Sequence, residues 1–302
     1  MFTDTRFDGV FTALVTPFTP DMKIDWPAFD ALIDRQLEAG IHGLVPVGTT
    51  GEAATLTEDE AVAVIERTVE RAKGKAYILA GTGSNSTEKT IKATKRAADA
   101  GADGVLLVTP YYNKPSQAGL IAHYEAVSSC ASLDNILYSV PGRAGIAIAT
   151  ETAAHLSNSC ANIVAIKEAG GDAARVTDLR LSCNDDFVVH CGDDGLALAF
   201  YALGARGLTS VLSNYDPEIC VAIYDAWKSG NLNRALILTD IAKSMADAMF
   251  IDSSPSPAKY AAAKLELMKE TTRLPVVGLS ADTKRSMDGV IQNYRITRSQ
   301  YL

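Results

Sequence analysis

A lysine ends one of the most apolar segments of the chain. Ile163–Lys167 is Ile-Val-Ala-Ile-Lys, and Glu168 follows it. Burial disfavours a charged ammonium and yields the neutral amine, the form that attacks a ketone carbon to make an imine. A lysine at the end of a strand can also extend its side chain to solvent. The position of Lys167 therefore predicts Schiff-base chemistry, with a solvated surface lysine as the alternative.

Two further segments could bind carboxylates. Thr49 and Thr50 lie between glycines, which let backbone N–H groups and two hydroxyls converge on a small anion. Arg143 follows a Pro-Gly turn, and its planar guanidinium can hold a carboxylate through two hydrogen bonds. An ordinary turn and a surface salt bridge are the alternatives. Together with Lys167, these segments predict a site for a small oxo acid.

Tyrosines follow or end two other apolar runs. Tyr111 and Tyr112 come after one such run, and Tyr138 ends another. A phenol can transfer protons, but a tyrosine at a strand end often only packs its ring. The residues alone therefore assign these tyrosines no catalytic role.

The sequence lacks the motifs of several other reaction classes. It contains no Gly-x-Ser-x-Gly elbow, no Walker loop and no His-Glu-x-x-His, and its four histidines are dispersed. The segment 81–86 could bind phosphate or begin a helix, and Gly192-Asp193-Asp194 could bind a cation or form a turn. We expect neither a metal nor a cofactor.

Eight short β-branched or aliphatic runs alternate with longer amphipathic segments. This alternation is typical of βα units and a parallel sheet, and barrels of such units carry their catalytic groups at the carboxyl ends of the strands. We predict an α/β fold, a (β/α)8 TIM barrel over residues 1–229, and a small helical extension over 230–302. An open doubly wound sheet is the alternative, but the first run lacks a Gly-rich nucleotide turn. The runs are Val10–Thr16, Leu44–Val47, Tyr77–Ala80, Val105–Val108, Ile136–Tyr138, Ile163–Lys167, Phe187–His190 and Leu208–Val211.

The composition is that of an ordinary soluble protein, with 47% apolar and 21% charged residues. A net charge of -8 without Lys/Arg blocks offers no surface to a polyanion, so we expect no nucleic-acid partner. The five cysteines contain no Cys-x-x-Cys pair and predict neither disulfides nor zinc. No basic leader and no membrane-length apolar run is present. These observations predict a cytoplasmic protein without a membrane partner.

Taken together, the strand ends resemble the dihydrodipicolinate synthase family. The likeness covers nearly the whole chain, including Ser256-Pro257-x-Lys259 and Arg273-Leu274-Pro275 near its end. Its central motifs are Gly48-Thr49-Thr50-Gly51-Glu52, Thr109-Pro110-Tyr111-Tyr112-Asn113, Tyr138-x-Val140-Pro141-x-Arg143, Ile166-Lys167-Glu168-Ala169 and Gly192-Asp193-Asp194.

The resemblance implies roles for several of these residues. Lys167 would form the imine with pyruvate, Thr49 and Thr50 would bind its carboxylate, and Thr50, Tyr138 and Tyr112 would form a proton relay. The Tyr112 ring would reach across a tight-dimer interface into its neighbour's site. The resemblance thus implies a homo-oligomer, commonly a tetramer built as a dimer of tight dimers.

The resemblance also implies the second half of the reaction. Arg143 would hold the carboxylate of L-aspartate 4-semialdehyde, with Gly192 and Thr209 also contacting substrate. The product would be 4-hydroxy-tetrahydrodipicolinate, in the diaminopimelate route of lysine biosynthesis. The covalent imine on Lys167 would be formed without a separate cofactor.

Alternatives share the same lysine. An N-acetylneuraminate lyase or a 2-keto-3-deoxy sugar acid aldolase would use the same first step, but Arg143 is atypical of both. A 2-oxo acid sensor without activity would usually have lost part of the relay, and a phosphate-handling isomerase would need a better phosphate nest than the segment 212–214. The chain departs from the family pattern at Ser139, Ala144 and Gly170, which we expect near the substrate pocket.

Feedback inhibition by lysine is expected to be weak or absent. Glu58 and Ala61 occupy positions that are usually histidine in lysine-sensitive relatives. Lys89 stands where an acidic residue would face the ammonium of the effector. This reversal of charge disfavours binding of the amino acid.

Overall fold

The computed structural model describes residues 5–302, and its eight parallel strands form a closed barrel. Each strand pairs with the next in the sequence, and the last pairs with the first. The predicted TIM barrel is confirmed, with strand ends that differ from the predicted runs by a few residues. The strands are β1 (Gly9–Ala13), β2 (Gly43–Val45), β3 (Tyr77–Gly81), β4 (Gly104–Val108), β5 (Asp134–Ser139), β6 (Ile163–Glu168), β7 (Val188–Cys191) and β8 (Gly207–Ser210).

Helices surround the barrel and continue beyond its last strand. A capping box precedes the helix that begins at Glu58, since the Thr57 hydroxyl accepts from the Glu60 N–H and the Glu60 carboxylate accepts from the Thr57 N–H. The helices of the described chain are α1 (Trp26–Glu38), α2 (Glu58–Ala72), α3 (Thr87–Asp99), α4 (Gln117–Ser128), α5 (Pro141–Ala144), α6 (Thr150–Ser159), α7 (Arg175–Ser182), α8 (Ala197–Ala202), α9 (Pro217–Lys228), α10 (Leu232–Ala248), α11 (Ser256–Ala263) and α12 (Ala281–Arg298).

The segment after α9 consists of helices that share the outer apolar core of the barrel. Leu238 and Met245 of α10 are fully buried in the same cluster as Ile219 of α9. Residues of α11 and α12 belong to that cluster as well. None of the helices in residues 5–302 combines the length and hydropathy that a membrane span requires.

The barrel interior is a second apolar core, because alternate residues of each strand point inward. Phe7 fills its amino-terminal end, where its ring lies 5.0 Å from that of Tyr77. The Phe7 carbonyl accepts from His190 Nε2 at 2.6 Å. This packing leaves the carboxyl ends of the strands as the place for a site. Inward residues of the strands include Phe11, Val45, Leu79, Leu106, Ile136, Ala165 and Val188.

Asn214 joins the first and last strands at the carboxyl end. Its side chain is fully buried in the turn after β8. Its Oδ1 accepts from the Val15 N–H at 3.0 Å, and its Nδ2 donates to the carbonyls of Ala13 and Val211 at 2.8 and 3.0 Å. These bonds satisfy backbone groups at or just beyond the ends of β1 and β8.

Replacement of Asn214 by alanine should therefore destabilise the fold, because it leaves buried backbone groups without partners. We expect the free energy of unfolding, measured by urea titration, to fall by about 2–4 kcal/mol. Asn293→Ala on the exposed side of α12 is the control and should change it by less than about 0.5 kcal/mol. Equal effects of the two substitutions would contradict this assignment.

Candidate active site

Lys167 lies in the barrel interior at the end of β6. Ala165 belongs to the interior cluster and Ile166 to the outer one, so the alternation of the strand directs Lys167 inward. The lysine is 6% exposed. The neighbouring carboxylate of Glu168 points outward and forms an ion pair with Arg175 at 2.7 Å. Lys167 is therefore an amine inside the barrel, and the acid next to it in the sequence is paired elsewhere.

Tyr138 of β5 lies beside this amine. The two residues are partners in the strand register, and Lys167 Nζ is 4.3 Å from the centroid of the Tyr138 ring. The Tyr138 carbonyl accepts from both the N–H and the hydroxyl of Thr109, at 3.0 and 2.8 Å. The structure thus brings together the predicted nucleophile and a phenol that can transfer protons to groups formed on it.

Gly192 provides space for the lysine at the end of β7. A side chain at position 192 would place its Cβ 3.1 Å from Lys167 Cε and 2.6 Å from Ala169 Cβ. The Gly192 N–H donates to the Glu168 carbonyl at 2.8 Å. The backbone at position 192 lies so close to the residues at the end of β6 that a side chain there would clash with them, which favours glycine.

Thr209 contacts a buried histidine that the sequence analysis did not assign to the site. Burial is the main cause that lowers the pKa of His190 to about 4. The imidazole is therefore neutral at ordinary pH. Because its Nε2 donates to the Phe7 carbonyl, its Nδ1 accepts from the Thr209 hydroxyl at 3.3 Å. The hydroxyl hydrogen of Thr209 is thus engaged within the barrel.

Thr49 and Thr50 lie in the loop 48–52 that follows β2. Thr50 is buried and Thr49 is exposed. The loop is closed through its backbone, because the Thr49 carbonyl accepts from the Glu52 N–H and the Gly51 carbonyl accepts from the Thr16 hydroxyl. Within residues 5–302 both threonine hydroxyls remain available for a ligand.

Strained backbone marks the loops around the site. Val47 and Glu52, which flank the two threonines, have φ of 58° each, and Tyr112 has φ of 71°. The left-handed region is unfavourable for residues with a Cβ and especially for a β-branched one. Such strain persists only where surrounding contacts impose it, and it is common at functional sites. The strain therefore indicates that these loops do more than connect strands to helices.

Tyr112 and Arg143 face outward at the same end of the barrel. The Tyr112 side chain is 90% exposed, and Arg143 is exposed on the short helix α5. In the described chain no hydrogen bond or ring contact joins either side chain to Lys167 or Tyr138. The structure therefore places Tyr112 and Arg143 on segments around the site without bonding them to the amine or the phenol.

The three departures from the family pattern have different surroundings. Ser139 comes directly after Tyr138 in β5, but its side chain points away from that of Tyr138 toward the helices, where its Oγ accepts from the Ile148 N–H at 3.5 Å. Gly170 donates its N–H to Glu168 Oε1 at 2.7 Å. Ala144 is buried in the interior cluster that contains Tyr138.

A buried ion pair next to the threonine loop also escaped the sequence analysis. Glu52 pairs with Lys259, and their side chains are 2% and 0% exposed. Both residues stand in motifs that we noted, but their pairing spans 207 positions and has no local signal.

Comparison with known proteins agrees with this geometry. The model of the dihydrodipicolinate synthetase family matches residues 6–294. The 4-hydroxy-tetrahydrodipicolinate synthase of Bartonella bacilliformis is 41% identical over 285 residues, which cover 94% of this chain and 97% of that protein.

Solved structures extend the likeness to three dimensions. The 4-hydroxy-tetrahydrodipicolinate synthase of Methylacidiphilum fumariolicum SolV superposes with a TM-score of 0.96 at 37% identity, covering 98% of each chain. The dihydrodipicolinate synthase of Acinetobacter baumannii, solved in complex with pyruvate, gives 0.93 at 37% identity, covering 96% of this chain and 99% of that one. Family model, sequence and structure all match nearly the full length, and the chain belongs to the dihydrodipicolinate synthetase family.

Proposed function

We propose that the protein condenses pyruvate with L-aspartate 4-semialdehyde to 4-hydroxy-tetrahydrodipicolinate, through an imine on Lys167. The observation that carries this proposal is the Lys167 amine held inside the barrel, 4.3 Å from the Tyr138 ring, in a chain of this family. The solved relative from Acinetobacter baumannii, which contains pyruvate, supports the first substrate.

The chemistry proceeds in balanced steps. Lys167 adds to the pyruvate carbonyl and water leaves, which gives an iminium that withdraws electrons from the neighbouring methyl group. Loss of a methyl proton gives an enamine, whose carbon adds to the aldehyde of the second substrate. The amino group of that substrate then displaces the lysine from the imine carbon. Ring closure therefore regenerates the free amine of Lys167.

The surrounding residues bind the substrates and transfer the protons. Thr49 and Thr50 bind the pyruvate carboxylate through hydroxyls that are available in the described chain. Thr50, Tyr138 and Tyr112 form the proton relay, for which Tyr138 is already beside the amine. Gly192 and Thr209 line the substrate pocket, although the Thr209 hydroxyl is shared with His190.

Tyr112 completes the relay of a second copy of the chain in a homodimer, which can pair further into a tetramer. A tyrosine that is 90% exposed on strained backbone supports this proposal, because neither the exposure of the ring nor the strain is explained within one chain.

Borohydride trapping tests the central proposal. Incubation with pyruvate and borohydride should give a reduced adduct that peptide mass analysis locates on Lys167, because borohydride reduces an iminium to a stable amine. Lys167→Met should give no adduct, whereas Lys75→Met, at an exposed position, should give the same yield as the unchanged protein. An adduct on another lysine, or none, would overturn the proposal. An adduct without turnover would favour a 2-oxo acid sensor.

A second experiment tests the role of Arg143. Arg143→Met should raise the KM for aspartate semialdehyde by about ten- to a hundredfold, since it removes hydrogen bonds to a carboxylate. The pyruvate concentration that half-saturates trapping should stay the same. Arg285→Met, at a surface arginine that is 73% exposed, is the control. Cleavage of sialic acid or of a 2-keto-3-deoxy sugar acid, without turnover of aspartate semialdehyde, would instead identify one of the sugar-acid alternatives.

Lysine should inhibit the enzyme weakly or not at all. The Glu58 carboxylate already pairs with Lys92 at 2.6 Å, and this hydrogen bond lowers the pKa of Glu58. Lys89 is exposed and Ala61 offers no polar group, so these positions provide no free acid for the ammonium of an effector. Steady-state rates should be unchanged at sub-millimolar L-lysine, with D-lysine as the ionic control. Inhibition in that range by the L-isomer alone would refute this expectation.

A further inference from the structure

A buried cluster of charges connects the end of the chain to the threonine loop. Lys259 of α11 is fully buried, pairs with Glu52 and donates to the Thr271 carbonyl at 2.8 Å. Its Nζ also lies 4.1 Å from the centroid of the Phe18 ring. The cluster therefore joins the loop after β2 and the loop after β1 to the helical segment that follows the barrel.

Arg273 extends this cluster. Its backbone N–H donates to Glu52 Oε2 at 2.9 Å, so both oxygens of that carboxylate are bound by residues from beyond the barrel. Its guanidinium forms two 2.7 Å hydrogen bonds with Glu60 and lies 4.3 Å from the Phe18 ring. The cluster thus contains two ion pairs, Lys259 with Glu52 and Arg273 with Glu60, whose four charges sum to zero.

Glu52 is well placed to control the threonines. It comes two residues after Thr50, and its left-handed backbone is held in place by the contacts of its carboxylate. Gly51, which lies between Thr50 and Glu52, is held as well, because its carbonyl accepts from the Thr16 hydroxyl at 2.7 Å. Thr49 and Thr50 come directly before these two anchored residues, and the Glu52 N–H donates to the Thr49 carbonyl at 3.1 Å. The positions of the threonines therefore depend on both anchors.

Stability alone does not explain this cluster. Two charges that are removed from water lose their hydration free energy, and their mutual attraction rarely exceeds that loss. A buried ion pair therefore contributes little net stability. Burial lowers the pKa of Lys259 to about 8 in spite of the attraction of Glu52. What the pair provides is a fixed geometry, because a carboxylate bound at both oxygens cannot rotate without breaking a contact.

We propose that Glu52, Lys259 and Arg273 form a clamp by which the segment beyond the barrel positions Thr49 and Thr50 for the pyruvate carboxylate. The clamp rests on the proposed function for its substrate. Lys259 and Glu52 are positioning residues in this arrangement, since they act through the threonines and do not touch pyruvate.

The test removes both charges at once. Lys259→Met alone would strand a buried carboxylate and destabilise the fold, whereas Glu52→Gln with Lys259→Met keeps the volumes and leaves no unpaired charge. In this double variant, the pyruvate concentration that half-saturates borohydride trapping should rise by roughly ten- to a hundredfold. The adduct yield at saturating pyruvate should remain close to that of the unchanged protein. Hydrogen exchange of the amides of residues 48–53 should become faster.

Arg298→Met is the matched control, because Arg298 joins α12 to Asp216 at the start of α9 and does not contact the threonine loop. It should lower the melting temperature without changing half-saturation or loop exchange. If the double variant does not fold, Lys259→Arg, which keeps the charge, takes its place. It should give a smaller rise in the pyruvate concentration that half-saturates trapping.

Two results would overturn the clamp. The first is a folded clamp variant in which neither the half-saturating pyruvate concentration nor the hydrogen exchange of residues 48–53 changes. The second is a rise in the half-saturating pyruvate concentration of Arg298→Met that equals the rise in the clamp variant. Loop exchange is measured without substrate, so it tests the clamp separately from the proposed function. Failure of that function appears instead as a missing adduct in the unchanged protein.

Discussion

An amine enclosed by a parallel barrel is the constraint on which the rest of the structure depends. Lys167 has the ring of Tyr138 and the bare backbone of Gly192 as neighbours, while Glu168 is turned away to Arg175. The amino-terminal end of the barrel is packed with aromatic rings. Substrates must therefore reach this nitrogen from the carboxyl end, where the loops add polar groups to those of the strands.

Those loops are held by contacts of long range. Asn214 ties the end of β1 to the turn after β8, and Glu52 ties the threonine loop to Lys259 and Arg273. The helices after the barrel thereby do more than cover apolar surface. They fix the backbone that presents the proposed carboxylate-binding hydroxyls, and this explains why the motifs around Lys259 and Arg273 belong to the same full-length resemblance as the site itself.

Much of the architecture could be predicted because its signals are local. Alternating apolar runs identify the strands, and the position of Lys167 at the end of one run identifies it as the candidate nucleophile. Both features can be seen within a few residues. The Glu52–Lys259 pair could not be predicted this way, because the partners are 207 positions apart. The outward direction of Ser139 is likewise a local signal, because neighbouring residues of a strand face opposite sides and Tyr138 faces inward.

The roles proposed for Tyr112 and Arg143 involve groups outside one chain, namely a second copy of the protein and the second substrate. Both side chains are exposed, and no periodicity in the sequence indicates a partner for either. Imine formation, by contrast, involves a single atom of the protein, Lys167 Nζ. A crystal structure of the protein soaked in pyruvate should show continuous density from Lys167 Nζ to the central carbon of pyruvate, with the carboxylate against Thr49 and Thr50. Pyruvate bound without a covalent link, away from this nitrogen, would contradict the account.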